Sequence, residues 1–397
     1  MARPLAITAV AAVLTVVAIA EVRTFGPETI EYDFSKLRRA DTWTKGEGYW
    51  GRKMEALLGT YLTPIAVLTD SVEEAHAVAD RLKAAAKLPP LDDRIASVRT
   101  VDDILPPDQP AKIAELTAIQ KLFTPRLRSL IPPEKRAVVE RLLDAKDLHP
   151  LTPTDLPATY LAGIRERDGS MGKIVLLFPR PSRALWVGPK IVALSHSLRE
   201  ASSVTLPGPG HRPGRVAGAL EVSGDIFEAL GHDGPLVTGA AFLGVALVVV
   251  IIFRRSVISV YVLGALFIGV LWLGGLAMAL KVRLNFANFI AFPITFGIGV
   301  DYPVNVMSRY EQEGGRDVGS AIRSTGGAVG LCSLTTIIGY SSLLIAQNRA
   351  LYLFGVLAVL GEVTCLVTAI VALPAYLQWR QDRKVSGPEQ PTPAAAP

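Results

Sequence analysis

The chain has 397 residues, half of them hydrophobic and 19% charged, with 41 Lys and Arg against 36 Asp and Glu and a mean hydropathy of +0.35. Soluble domains carry about a quarter charged residues, so this composition excludes an ordinary soluble enzyme and points to a membrane protein. The net charge of +5 is spread along the chain and leaves no basic stripe for a nucleic-acid partner.

In chain order, an apolar run at 5–20 follows Arg3. It reads as a first membrane helix or, because it ends in Ala18-Ile19-Ala20, as a signal peptide with its cleavage site. The polar stretch that follows alternates strand and helix patterns. Ile65 to Leu68 reads as a strand, 72–87 as an amphipathic helix with Val72, Ala75, Val78, Ala79 and Leu82 on one face, and 95–101 as a second strand. Segments 173–178, 187–199 and 204–206 repeat the order strand, helix, strand, and two such units suggest a split βαβ, ferredoxin-like α+β sandwich. Between them, 111–144 is helical in pattern and broken at Pro125 and Pro132-Pro133, which suggests an inserted helical hairpin. A further amphipathic helix is expected over 215–230.

Crossing ~30 Å of hydrocarbon takes roughly 20 apolar residues, and five more runs reach that scale: 236–253, 257–280, 286–307, 328–346 and 351–377. The expected organisation is a six-span α-helical bundle: a first helix at 1–21, an outer domain at 22–234, five helices at 235–380 and a disordered tail at 381–397. Arg3, Arg254, Arg255, Arg309, Arg316, Arg323, Arg380, Arg383 and Lys384 fall on one side. The short loops of the other side hold Lys281, Arg283 and Arg349. This asymmetry places both termini in the cytoplasm and the large domain outside, periplasmic if the cell has two membranes.

Cys332 and Cys365 lie inside apolar runs and form neither a disulfide framework nor a metal motif, and no cofactor is expected. A phosphate-binding P-loop and an HExxH motif are absent. Gly297-Ile298-Gly299 lacks the third glycine and the preceding strand of a dinucleotide site. The residues that stand out are two acids inside apolar spans, Asp301 and Glu362. An ionised carboxylate at mid-membrane costs ~2.5–3.5 kcal/mol, so such groups mark ion or substrate paths.

Gly297, Asn305 and Ser308 share the Asp301 face, while Gly355, Ala358, Cys365 and Ala369 share that of Glu362. Gly297, Gly299, Gly326 and Gly330 are candidate helix-packing positions. Ser333, Thr335, Thr336, Tyr340, Ser341 and Ser342 in the fifth span either solvate a buried carboxyl or bond their own i−4 carbonyls. Trp43, Tyr49, Trp50, Phe123 and Trp186 are either core or a lining for an apolar substrate. With no nucleotide motif, the ion gradient is the available energy source, at ~2.3 kcal/mol per charge and 100 mV.

The string Phe296-Gly297-Ile298-Gly299-Val300-Asp301-Tyr302-Pro303-Val304-Asn305, with Arg309-Tyr310, Thr325-Gly326-Gly327-Ala328 and Leu334-Thr335-Thr336-Ile337-Ile338-Gly339-Tyr340, resembles the fourth and fifth helices of the resistance-nodulation-division (RND) superfamily. The resemblance is to its MMPL (mycobacterial membrane protein large) branch, which includes exporters of hopanoids and other hydrophobic lipids. It implies proton-driven export of a hydrophobic or lipid substrate from a bacterial inner membrane, without enzymatic chemistry. It makes Asp301 and Tyr302 the proton relay, with Asn305, Glu362, Thr335, Thr336 and Tyr340 as possible support. Members of that family join two such halves in one polypeptide, so a single six-helix half implies a homodimer or a separately encoded partner half. The competing readings are a SecD/SecF-like accessory of protein export and a lipid-sensing receptor or scaffold that moves nothing.

Overall fold

The computed structural model describes residues 3–385, apart from 125, 128–129, 146–147, 158, 160–164, 167, 207–209, 255 and 316. Pro125, Arg255, Arg316 and the tail from 386 lie outside the described residues. The chain divides into one unit of Met1–Tyr49, Trp186–Pro189 and Asp225–Pro397, and another of Trp50–Leu185 and Lys190–Gly224.

Six helical segments have the length and composition to cross a membrane: Pro4–Val22, Ala219–Phe253, Val257–Ala279, Asn288–Gln312, Val318–Ile345 and Arg349–Arg383. They are numbered here as spans one to six. The helix expected at 215–230 does not stand apart from span two. Residues 215–217 are a strand, and a single helix runs from Ala219 to Phe253. Span five begins ten residues before its apolar run, because the Asp317 side chain accepts from Ser320 N at 3.0 Å and caps a small, polar first turn.

Spans three, four and six are the most buried, and spans one, two and five keep most of their surface outward. Small residues set the closest approaches. A Cβ built on Gly275 in span three would lie 2.6 Å from Ala18 Cα in span one, and one on Gly361 in span six 2.6 Å from Thr295 Oγ1 in span four. Trp272 Nε1 donates to Thr15 Oγ1 at 3.0 Å, a second tie between spans one and three. One turn of π-helix, Thr368–Ala372, interrupts span six.

The loops sort to two sides. Leu284 N donates to Thr29 O and Glu31 N to Leu284 O, at 2.8 and 2.7 Å, while Ala40 N donates to Gln347 O and Arg349 N to Arg38 O. Residues 29–40 are thereby stitched to the loop between spans three and four and to that between spans five and six. At the other end, Tyr310 Oη donates to Gly315 O and accepts from Gln381 Nε2 at 2.7 Å.

The second unit holds a four-stranded sheet of β1 (Ile65–Leu68), β2 (Ile95–Arg99), β3 (Ile174–Pro179) and β6 (Arg215–Ala217), in the order β2-β3-β1-β6 with all neighbours antiparallel. Helix α1 (Val72–Ala85) connects β1 to β2. Helices α2 (Gln109–Leu122) and α3 (Pro133–Asp144) form the insertion between β2 and β3, and α4 (Gly188–Ala201) follows β3. Ile65, Val67, Val175 and Leu177 alternate inward and meet Val78, Leu82, Leu194 and Leu198 in one core.

One strand was misplaced by the sequence pattern. Val204–Leu206 (β4) pairs with Gly210–Arg212 (β5) in a separate ribbon, and the sheet takes Arg215–Ala217 instead. The chain doubles back so tightly that a Cβ on Gly214 would overlap the Ser202 side chain. Three residues are too few to display a period of two.

An ion-pair cluster ties β5 and β6 to the start of α1. Arg212 reaches Asp70 at 2.6 Å and Glu74 at 2.5 Å, and Arg215 reaches Asp70 at 2.5 Å. Hydrogen bonds from Arg215 and then Arg212 hold the Asp70 carboxyl below its ordinary value. A depressed carboxylate contributes stability above its unfolded value and loses it as pH falls through the folded one. Protection of the β6 amides, measured relative to their intrinsic exchange rates, is therefore expected to fall as pH drops below about 4, and Asp70→Asn to remove that pH dependence. Equal acid sensitivity in the variant would exclude the cluster as its cause.

Candidate functional site

The two intramembrane acids occupy different surroundings. Asp301 lies after Val300, the residue that joins the helices Ala291–Gly299 and Asp301–Gln312 within span four. Its carboxylate is exposed in the isolated chain and faces a groove of about 510 Å³ between spans two and four. Ala241, Gly244, Val248 and Ile252 line one wall, and Pro293, Gly297, Val300 and Val304 the other. Asp301 is the single polar side chain among the described residues of that lining. An ionised carboxylate against apolar walls at membrane depth is costly, and taking up a proton relieves that cost.

Tyr302 turns away, as the 100° step between helix neighbours requires. It is buried to 2% exposure, and its hydroxyl donates to Glu362 Oε2 in span six, itself buried to 3%. Asp301 and Tyr302 thus do not form one constellation, because they open on different faces of span four. The structure instead joins Tyr302 to Glu362, sixty positions away.

Asn305 does not reach the Asp301 carboxylate. Its Nδ2 donates to the Asp301 backbone carbonyl at 2.8 Å. Thr335 and Thr336 both bond Cys332 O, at 2.7 and 3.1 Å, which is the local i−3 and i−4 use of a hydroxyl. Tyr340 packs edge-on against Phe354 with ring centroids 6.1 Å apart. Ser333 is buried, and its Oγ has no hydrogen-bond partner among the described residues.

Of the four glycines expected at helix contacts, Gly299 alone makes a close one between spans. A Cβ there would lie 2.7 Å from Cys365 Sγ of span six. Gly297 and Gly330 face open space, and the nearest neighbour of Gly326 is Ile322 of its own helix. The contacts are carried by Gly269, Gly275, Gly355 and Gly361, which lie on the buried spans three and six.

Trp43 and Trp186 stack edge-on at 5.3 Å, and Trp43 Nε1 donates to Ser35 O at 2.9 Å, so these two are packing residues. Trp50 is 60% exposed with Lys53 Nζ over its ring. Among the described residues no group of His, Cys, Asp and Glu has the makings of a metal site.

Six helices of this length and apolarity define a multi-pass membrane protein. Residues 196–386, from within helix α4 through spans two to six, match the model of the MMPL family. The membrane protein MJ1562 of Methanocaldococcus jannaschii is 27% identical over 156 residues, 38% of this chain and 40% of that protein. The hopanoid transporter HpnN of Burkholderia multivorans is 28% identical over 173 residues, 41% of this chain and 19% of that protein. The chain thus spans less than half the length of these curated relatives. Two crystal forms of a heavy metal efflux pump align with 53% and 54% of the chain at 18% and 19% identity, covering 21% and 22% of the pump with a TM-score of 0.36 in each.

Proposed function

We propose that this chain is one half of a proton-driven exporter of the RND type, moving a lipid or another hydrophobic compound out of a bacterial inner membrane. The MMPL match over spans two to six and the likeness to a hopanoid transporter support the substrate class. The observation that carries the energy source is Asp301, the sole polar side chain among the described residues lining an apolar groove between spans two and four.

In this reading Asp301 takes up a proton from one side and releases it to the other, and its charge biases the bundle between two packings. The Tyr302–Glu362 bond fixes span four against span six, so that a change at Asp301 is transmitted as a movement of the span. The excess of basic residues in the loops beside spans two, four and six supports an orientation with both termini in the cytoplasm and residues 22–234 outside. The order β2-β3-β1-β6, with two crossovers that each pass over a strand, supports a ferredoxin-like porter domain there. The groove at Asp301 is open in a single chain, which favours a second copy or a partner half that closes it.

The test is the lipid inventory of inner and outer envelope in cells with and without the chain. A lipid should accumulate inside without it and be relieved by the wild type, and the relief should vanish when a protonophore collapses the gradient. Identical inventories would reject export. Relief that survives the protonophore would reject proton coupling.

A further inference from the structure

Three cations occupy the short loops on the side of the bundle where residues 29–40 are stitched: Lys281, Arg283 and Arg349. Arg283 and Arg349 are 66 positions apart in sequence, yet all three cations line one cavity of about 420 Å³, joined by Lys36. Glu31 is the single acid of that lining, and it is already engaged. Lys36 Nζ lies 3.1 Å from its Oε1 and Arg283 Nη1 3.0 Å from its Oε2. Lys281 and Arg349 form no ion pair among the described residues, and both are exposed. Glu21 and Glu28 line a neighbouring cavity that Lys281 and Arg283 also border, but no ion pair joins them to either cation.

The rest of the lining is largely apolar: Leu37 and Val282 from the loops, Leu280 just after span three, and Leu353 and Val356 in the first turns of span six. Arg349 is held in place by its own helix, its guanidinium 4.9 Å from the centre of the Tyr352 ring. Lys281 occupies the left-handed position after span three, at φ 54°, with its N–H bonded to Met278 O and that of Val282 to Ala277 O. Glycine takes this position without steric cost, whereas a lysine adopts it against its backbone preference.

We infer that this cavity binds the phosphate headgroup of an anionic lipid, with the acyl chains lying along spans three and six. Two unpaired cations, one with the planar fork that suits phosphate, supply the charge. The apolar wall that continues into the spans selects a lipid over a free anion. The site stands apart from the Asp301 groove and does not depend on the chain exporting anything.

The test uses the full chain in nanodiscs of equal phosphatidylglycerol and phosphatidylcholine, released and weighed intact by native mass spectrometry. The wild type should retain phosphatidylglycerol well above phosphatidylcholine, with inorganic phosphate failing to displace it. Lys281→Gln and Arg349→Gln should each weaken that retention about fivefold, the scale of one basic residue at an anionic surface. Arg380→Gln with Arg383→Gln, far along span six, should leave it unchanged. Equal retention of the two lipids by the wild type, undiminished retention in the Lys281 and Arg349 variants, or displacement by inorganic phosphate would each overturn the assignment. The wild-type comparison decides even if a variant does not fold.

Discussion

Asp301→Asn is expected to reduce proton-dependent lipid relief by at least about a hundredfold, the scale on which losing an obligatory proton acceptor acts. The substitution keeps the shape and polarity of the side chain and removes only its titration, so insertion and folding should survive. The groove makes this a sharp test, because no other polar side chain in its described lining can stand in. Asp301→Glu should keep a measurable fraction of the activity. It still titrates but extends one methylene further toward span two, against Gly244 and Val248. The measurement is the inner and outer lipid inventory at matched membrane levels of the three proteins. Wild-type relief by the Asn variant would remove the relay role from Asp301.

The unequal legibility of these features has physical causes. Asp301 and Glu362 stood out because a charge inside an apolar run is costly, and that cost is written in one dimension. Strand Ile65–Leu68 and helix Val72–Ala85 were readable for a similar reason: their inward and outward faces alternate over enough residues to show a period. Strand Arg215–Ala217 has three residues and shows none.

Tertiary choices were not readable. Helical spacing told which residues share a face with Asp301, but not that the next residue would find Glu362 across the bundle. The packing glycines show the same limit. Gly297 and Gly330 look identical in sequence to Gly275 and Gly361, and only the placement of spans three and six separates an exposed glycine from one that meets a backbone. In sequence the loop cations bear only on orientation. Their convergence on one cavity depends on the 29–40 segment folding over both loops.

Tyr302→Phe is expected to destabilise the protein by about 1–3 kcal/mol, the cost of leaving a buried acceptor without its donor. Hydrogen bonds between membrane helices average only ~0.6 kcal/mol, since the unfolded chain in the membrane also finds partners. The Tyr302 bond should exceed that mean because its acceptor is a carboxyl with 3% exposure, which neither water nor lipid headgroups reach in the folded state. Replacing both partners tests the argument. In Tyr302→Phe with Glu362→Met the orphaned acceptor is gone, so the double variant should be more stable than Tyr302→Phe alone, although it carries one more substitution. Thermal unfolding of the purified chain in detergent reads all three proteins on one scale. A Tyr302→Phe protein within about 0.5 kcal/mol of the wild type would show that the bond contributes no more than an ordinary surface contact. A double variant weaker than the single one would mean that Glu362 has another partner to satisfy. If instead the expected order holds while lipid relief per folded molecule is unchanged in the single variant, the pair is the fixed joint between spans four and six, and the moving charge belongs to Asp301.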